Sequence, residues 1–130
     1  MYAYLIQGFF FQRNCHFDTR YLSEAEGGVK GIIRSDCCRS MFAGVIFPID
    51  EMLYGKMSDH YGESSLFSIS ISPEKIGFEK RYDHRDDVIV YEFKKENGIW
   101  IGEYSGKETG TGGATCILTE VPESLFLITE

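Results

Sequence analysis

The sequence predicts an all-β domain, an antiparallel up-and-down meander closed into a barrel of about eight to ten strands, with one short helix near the N-terminus. Apolar and polar side chains alternate along most of the chain, which is typical of strands with one buried face. Turn signals recur at intervals near ten residues, which is typical of a sandwich or a barrel. So many strands would leave long edges in an open sheet, and closure removes them.

Composition limits the function classes. The chain has 130 residues, 43% of them hydrophobic, which suits a single β-barrel domain over residues 1–130. Thirteen Lys and Arg against 20 Asp and Glu give a net charge of −7. This acidity argues against nucleic acid and anionic membranes as partners.

The N-terminus predicts a first strand at residues 2–13 and not a signal peptide. Gln7 and Gly8 interrupt the apolar run, and the first basic residue, Arg13, follows that run. We therefore expect a cytoplasmic protein. Asp18–Glu26 predicts the short helix because Asp18 can cap its start and Gly27-Gly28 can end it. Further strands are expected near residues 29–34, 41–47, 52–58, 113–120 and 124–129.

A hairpin is predicted from residues 88–96 to residues 99–104. Its turn is Asn97-Gly98, whose residues both tolerate the positive φ of a two-residue hairpin loop. That loop places Tyr91 opposite Tyr104 and Phe93 opposite Gly102. Alternation then puts five large side chains on one buried face: Ile89, Tyr91, Phe93, Trp100 and Tyr104.

A second hairpin is predicted from residues 66–72 to residues 76–82, with Glu74-Lys75 as its loop. Three pairs then share the buried face, namely Ile71 with Phe78, Ile69 with Lys80, and Phe67 with Tyr82. Lys80 is the one charged side chain among these apolar positions.

The layout resembles the calycin-type barrels, which include the lipocalins and the fatty-acid-binding proteins. The length, the first strand, the insert near residues 18–26 and the meander that follows are similar to the fatty-acid-binding group. The segments Gly55–Ser64 and Phe78–Tyr82 also resemble small uncharacterised bacterial barrel domains. The early Gly-x-Trp of lipocalins is missing, because Trp100 is the sole tryptophan. The resemblance implies a fold and carries over no functional residue.

Lys80 is the sharpest candidate for a binding residue. An ammonium inside a barrel loses hydration, so it needs an anion or a path to water. A ligand carboxylate or phosphate would supply the anion; the alternatives are a protein carboxylate or a side chain that reaches solvent at the barrel mouth. The predicted ligand-binding set is Lys80, Tyr82, Phe78, Tyr91, Phe93, Trp100 and Tyr104.

The sequence predicts no catalytic residue, no cofactor and no metal site. His16, His60 and His84 lie in expected loops without a second histidine at metal-ligand spacing. Cys15, Cys37, Cys38 and Cys116 are expected as free thiols, although Cys15, His16, Cys37 and Cys38 offer a zinc site as an alternative.

Three functions fit these features. The first is a binding module for a small apolar ligand that carries an anionic group. The second is a protein–protein interaction or inhibitory module with a filled core, acting through the loops at 59–64, 83–87 and 105–113 or through a strand edge. The third is a barrel isomerase or cyclase. A homodimer is compatible with the apolar run Phe9–Phe11.

Overall fold

The structure is a computed structural model that describes residues 2–12, 39–122 and 124. Within these residues the chain forms eight strands: β1 (Ala3–Gln12), β2 (Arg39–Ile49), β3 (Met52–Asp59), β4 (Gly62–Ile71), β5 (Lys75–Tyr82), β6 (Ile89–Glu96), β7 (Ile99–Gly106) and β8 (Gly110–Val121).

The strands form a closed antiparallel barrel in the order of the sequence. Each strand pairs with the next, and β8 pairs with β1 from Ala3 opposite Val121 to Gln12 opposite Gly112. The predicted all-β architecture and its closure are confirmed, and the strand number is eight. The helix predicted near 18–26 and the strand near 29–34 lie outside the described residues, as does the strand predicted at 124–129 except for Ser124.

Three of the connections within the described residues lie at one end of the barrel, which we call the loop end. It carries the β3–β4 turn at residues 60–61, the β5–β6 connection at residues 83–88 and the β7–β8 turn at residues 107–109. β1 also ends here, and β2 begins here. Within the described part of the chain, no helix has the length and apolar character needed to cross a bilayer.

The β6–β7 hairpin forms as predicted. Asn97 and Gly98 adopt φ values of 52° and 85°, which the two-residue turn requires. Tyr91 lies opposite Tyr104, and Phe93 lies opposite Gly102. All five side chains expected on the inner face are buried. Local turn chemistry and alternation were therefore sufficient to define this hairpin.

The predicted register of the β4–β5 hairpin is wrong. Ile71 lies opposite Ile76, and Leu66, not Ile69, lies opposite Lys80. A β-bulge separates the two halves of the pairing, and within it Ser68 adopts a left-handed φ of 52°. The extra residue reverses the alternation, so Phe67 turns outward, where the guanidinium carbon of Arg81 lies 6.0 Å from its ring centre.

The barrel interior is packed with aromatic and aliphatic side chains. Phe78 stacks on Tyr91 with ring centres 5.0 Å apart, and Tyr91 contacts Tyr104 at 5.6 Å. Phe10 contacts Tyr104 at 6.0 Å, which links β1 to the same group. Cys116 on β8 is a free thiol in this core, and burial raises its pKa to about 12. The other cysteines lie outside the described residues.

Closure of so small a barrel depends on glycines that point inward. A Cβ atom at Gly102 would overlap the backbone carbonyl of Glu92 on β6, because the two strands cross closely at this point. Phe93, directly opposite, fills the interior beside the missing side chain. Gly102 is therefore required for the close approach of β6 and β7.

We expect Gly102→Ala to destabilise the fold by about 1–3 kcal/mol, because the strands must separate to admit the methyl group. Gly77→Ala is the matched control, since its Cβ would lie 3.8 Å from the nearest atom, the carbonyl oxygen of Tyr91. Urea denaturation of both variants measures the difference. Equal losses for the two variants would contradict the role given to Gly102.

Candidate functional site

The ammonium of Lys80 lies inside the barrel and is paired with a carboxylate of the same chain. The Lys80 side chain is 0% exposed, and its Nζ lies 2.7 Å from Oδ2 of Asp59, whose side chain is also fully buried. Lys80 points inward because it alternates with Phe78 and Tyr82 on β5, as the sequence predicts. The sequence left three partners open for this ammonium, namely a ligand anion, a protein carboxylate and solvent at the barrel mouth. In the structure its partner is a protein carboxylate, Asp59.

Asp59 accepts hydrogen bonds from three donors. As the last residue of β3, it receives on Oδ2 both the Lys80 ammonium and the Tyr82 hydroxyl, the latter at 2.8 Å. Its Oδ1 accepts the backbone N–H of Tyr61 at 2.8 Å, which closes the β3–β4 turn. The carboxylate thus connects the turn to β5, and we call Asp59, Lys80 and Tyr82 the buried triad.

Aromatic rings surround the ammonium on its other sides. Nζ of Lys80 lies 4.8 Å from the ring centre of Phe10, 4.5 Å from that of Tyr82 and 5.5 Å from that of Tyr91. At these distances the electron-rich ring faces attract a cation, and the attraction is stronger where water is excluded. Ion pairing and cation–π contacts together offset the loss of hydration.

Burial shifts the proton equilibria of the triad. Burial lowers the pKa of Lys80 below its ordinary value, and the hydrogen bond and charge of Asp59 oppose that shift. Burial, followed by the hydrogen bond to Asp59 and its charge, raises the pKa of Tyr82 far above the usual range. Burial likewise raises the pKa of Tyr91. The two phenols therefore stay protonated, and Tyr82 serves as a hydrogen-bond donor.

All seven residues predicted to bind a ligand are buried, and the structure brings six of them together. Lys80, Tyr82 and Tyr91 meet at the buried triad, and Phe78, Phe93 and Tyr104 pack around Tyr91. Trp100 lies next to the β6–β7 turn, at the end of the barrel opposite the loop end, where the Lys95 ammonium is 5.5 Å from its ring centre.

The sequence does not single out Asp59, because the third strand is expected near residues 52–58. The signal was present, because Gly55, Met57 and Asp59 continue the inward alternation of β3 by one step. A carboxylate at the end of one inward face and an amine on another are complementary. Only the three-dimensional placement of β3 near β5 shows that the two groups meet.

A second carboxylate organises the loop end. Asp87, in the β5–β6 connection, accepts the Thr109 hydroxyl at 2.6 Å and the Thr109 N–H at 2.8 Å. It also accepts the N–H of Glu108 at 3.2 Å. These bonds, led by the Thr109 hydroxyl, lower the pKa of Asp87. The loop expected at residues 105–113 is instead a three-residue turn at 107–109, and Gly110 already begins β8.

The loop end therefore has two carboxylate anchors and an exposed aromatic surface. Asp59 anchors the β3–β4 turn, and Asp87 joins the β5–β6 connection to the β7–β8 turn. Tyr61 is 49% exposed, and its ring packs between Phe10 and Tyr82, with centres 6.2 and 6.4 Å away. The exposed His84 ring lies 5.9 Å from that of Tyr82. No group of side chains suited to hold a metal ion occurs among the described residues.

Comparisons with protein-family models, curated proteins and solved structures find no match to this chain. The closed eight-strand antiparallel barrel is consistent with a calycin-like layout.

Removing one member of the Lys80–Asp59 ion pair should show how much the pair contributes to the stability of the fold. We expect Lys80→Met to destabilise the fold by about 3–5 kcal/mol, because Asp59 is left as a buried charge without its cation. Adding Asp59→Asn to this variant should recover part of the loss. Urea denaturation of the two single variants and the double variant at pH 7 measures the coupling. A Lys80→Met variant more stable than the wild type would contradict the structural role of Lys80.

The raised pKa of Tyr82 predicts a specific pH dependence. In the unfolded chain this phenol ionises near its ordinary pKa of 10.0, whereas in the folded protein it keeps its proton. The stabilisation is therefore complete below pH 10 and is lost progressively above it. Unfolding free energies measured from pH 8 to 11 should fall more steeply for the wild type than for Tyr82→Phe. If the unfolding free energies of the two proteins fell with the same slope, the fold would not be keeping the Tyr82 hydroxyl protonated.

Proposed function

We propose that the protein is a protein–protein interaction module, which binds its partner through the loop end. The observation that carries this proposal is the buried triad. The Lys80 cation already has an anion 2.7 Å away, at Asp59, and aromatic rings of the chain on its other sides. A barrel whose inner charges satisfy one another does not depend on a ligand to complete its core.

The geometry of the loop end supports this function. Backbone and side-chain hydrogen bonds hold each of the three connections described there, including the bond from the N–H of Asp83 to the carbonyl of Glu63 at 2.9 Å. Loops ordered before binding lose little conformational entropy on association. Tyr61 and His84 are exposed there on a rigid base, and tyrosine is among the residues enriched at interaction hot spots.

The charges of the loop end indicate the chemistry of the partner. Glu63, Asp83, Asp86 and Glu108 are exposed carboxylates, whereas the neighbouring cations are Arg85, Lys107 and Lys56, whose ammonium lies 3.7 Å from the Asp83 carboxylate. An excess of negative charge around two aromatic rings favours a partner surface with Lys or Arg beside an apolar patch.

A binding module for a small apolar ligand with an anionic group stays a prediction with less support. At Lys80 such an anion would have to displace Asp59, leaving that carboxylate buried without its cation. A ligand-binding function like that of the lipocalins or fatty-acid-binding proteins meets the same objection, if the ligand's anion is to bind at Lys80. An isomerase or cyclase would need free polar groups to act on its substrate. In the buried triad the Lys80 ammonium and the Tyr82 hydroxyl are already bonded to Asp59.

Photocrosslinking in the host cell tests the proposal. A benzoyl-phenylalanine residue at position 61 or 84 should yield one discrete protein adduct, and the same residue at position 97, on the opposite end of the barrel, should not. Tyr61→Ala should then weaken binding to the identified partner by about 30-fold, the effect of a typical hot spot. The circular dichroism spectrum of this variant should be unchanged.

Two results would contradict this function. The first is equal crosslinking from positions 61, 84 and 97, which would mark unspecific contact. The second is a small molecule that co-purifies with the wild-type protein in native mass spectrometry and is absent from the Lys80→Met variant. That result would favour the small-ligand function instead.

A further inference from the structure

An uncharged apolar surface covers the outer wall of the barrel on the adjacent strands β7, β8, β1 and β2. We call it the wall patch and define it by the outward-facing residues Leu5, Phe9, Met41, Ile99, Ile101 and Ile117. Met41 is 69% exposed and Ile117 is 47% exposed. Large apolar side chains at such exposure are unfavourable in water unless another surface covers them.

The strand register makes the wall patch continuous. Ile101 lies opposite Thr115, Thr115 opposite Phe9, and Phe9 opposite Met41, so one row crosses all four strands. In the next row, Ile117 lies opposite Gln7. The outward residues between the apolar ones are therefore uncharged. Charged side chains appear only where the patch ends, as with Lys94 opposite Ile101 on β6.

The wall patch contains both a hollow and a projecting side chain. A concavity of about 440 Å³ lies among Phe9, Met41, Ile99 and Ile117 on the outer wall, where a barrel would ordinarily be convex. Met41 stands at its rim with most of its surface exposed. Methionine is flexible and fills irregular apolar gaps well. A projection and a hollow on the same face are complementary when that face meets a copy of itself.

We propose that the wall patch binds the wall patch of a second copy of this chain and forms a two-fold symmetric dimer. Two copies with a net charge of −7 each repel one another, so a stable contact between them needs a surface without charge. A two-fold axis also places the same patch on both sides of the interface, and charges of one sign there would face each other. The wall patch meets both requirements.

The extent of the wall patch suits a weak, reversible dimer. Four strands about 4.8 Å apart, with side chains along about six residues each, present a face of roughly 20 Å by 20 Å, or about 400 Å². Two such faces bury roughly 800 Å², which is the size of a transient contact. Homodimer interfaces are more apolar than other contacts of this size, as this face is.

Measurement of the molar mass over a concentration series tests the dimer. Sedimentation equilibrium from about 1 to 100 μM should show reversible dimerisation of the wild-type chain. Ile117→Lys should raise the dimer dissociation constant by about 100-fold, because two ammonium groups are brought into one apolar interface. Val90→Lys is the matched control and should leave the constant unchanged, since Val90 is 43% exposed on β6, outside the wall patch.

Three outcomes would overturn the proposal. One is a wild-type chain that stays monomeric throughout the series, which would assign the cover to a segment of its own chain or to another partner. Another is an equal effect of Ile117→Lys and Val90→Lys. The third is a small apolar molecule bound to the hollow of a monomer in native mass spectrometry. Tyr61→Ala should not alter dimerisation, so this proposal and the proposed function fail independently.

Discussion

The contact between the Lys80 ammonium and the Asp59 carboxylate determines how the interior of this barrel is arranged. Each group alone would be too costly to remove from water, and together they are held at 2.7 Å with further donors and rings around them. Asp59 also fixes the β3–β4 turn through the N–H of Tyr61. One buried ion pair therefore couples the core to the shape of the loop end.

This coupling bears on where the molecule can bind. Tyr61 is exposed, yet its ring rests on Phe10 and Tyr82, and these two rings also face the Lys80 ammonium. A contact at the surface of the loop end thus lies one layer of side chains from the ion pair. The Asp87 bonds extend the same rigidity to the β7–β8 turn. Such a surface is preorganised, which suits recognition of a protein better than enclosure of a ligand.

The outer wall follows a different rule from the loop end. Period-2 alternation would ordinarily place polar residues outside, and the strands β3 to β6 largely follow that pattern. On β1, β2, β7 and β8 the outward positions are often apolar as well, as at Phe9, Met41 and Ile117. In these strands both faces are suited to burial, one against the core and one against another surface.

Alternation and local turn chemistry were enough to predict the all-β class, the closed meander and the β6–β7 hairpin, because these features depend on neighbours in the sequence. They also identified Lys80 as an amine facing inward.

Three features required the folded chain. The bulge at Ser68 turns Phe67 to the outside of the barrel. It depends on a left-handed backbone conformation that the residue types in this segment do not predict. Asp59 meets Lys80, 21 residues away in the sequence, only because the curvature of the closed sheet brings the end of β3 to β5. The wall patch exists only because closure places β8 beside β1. Contacts of this kind depend on distances across the barrel, which no local pattern of residues specifies.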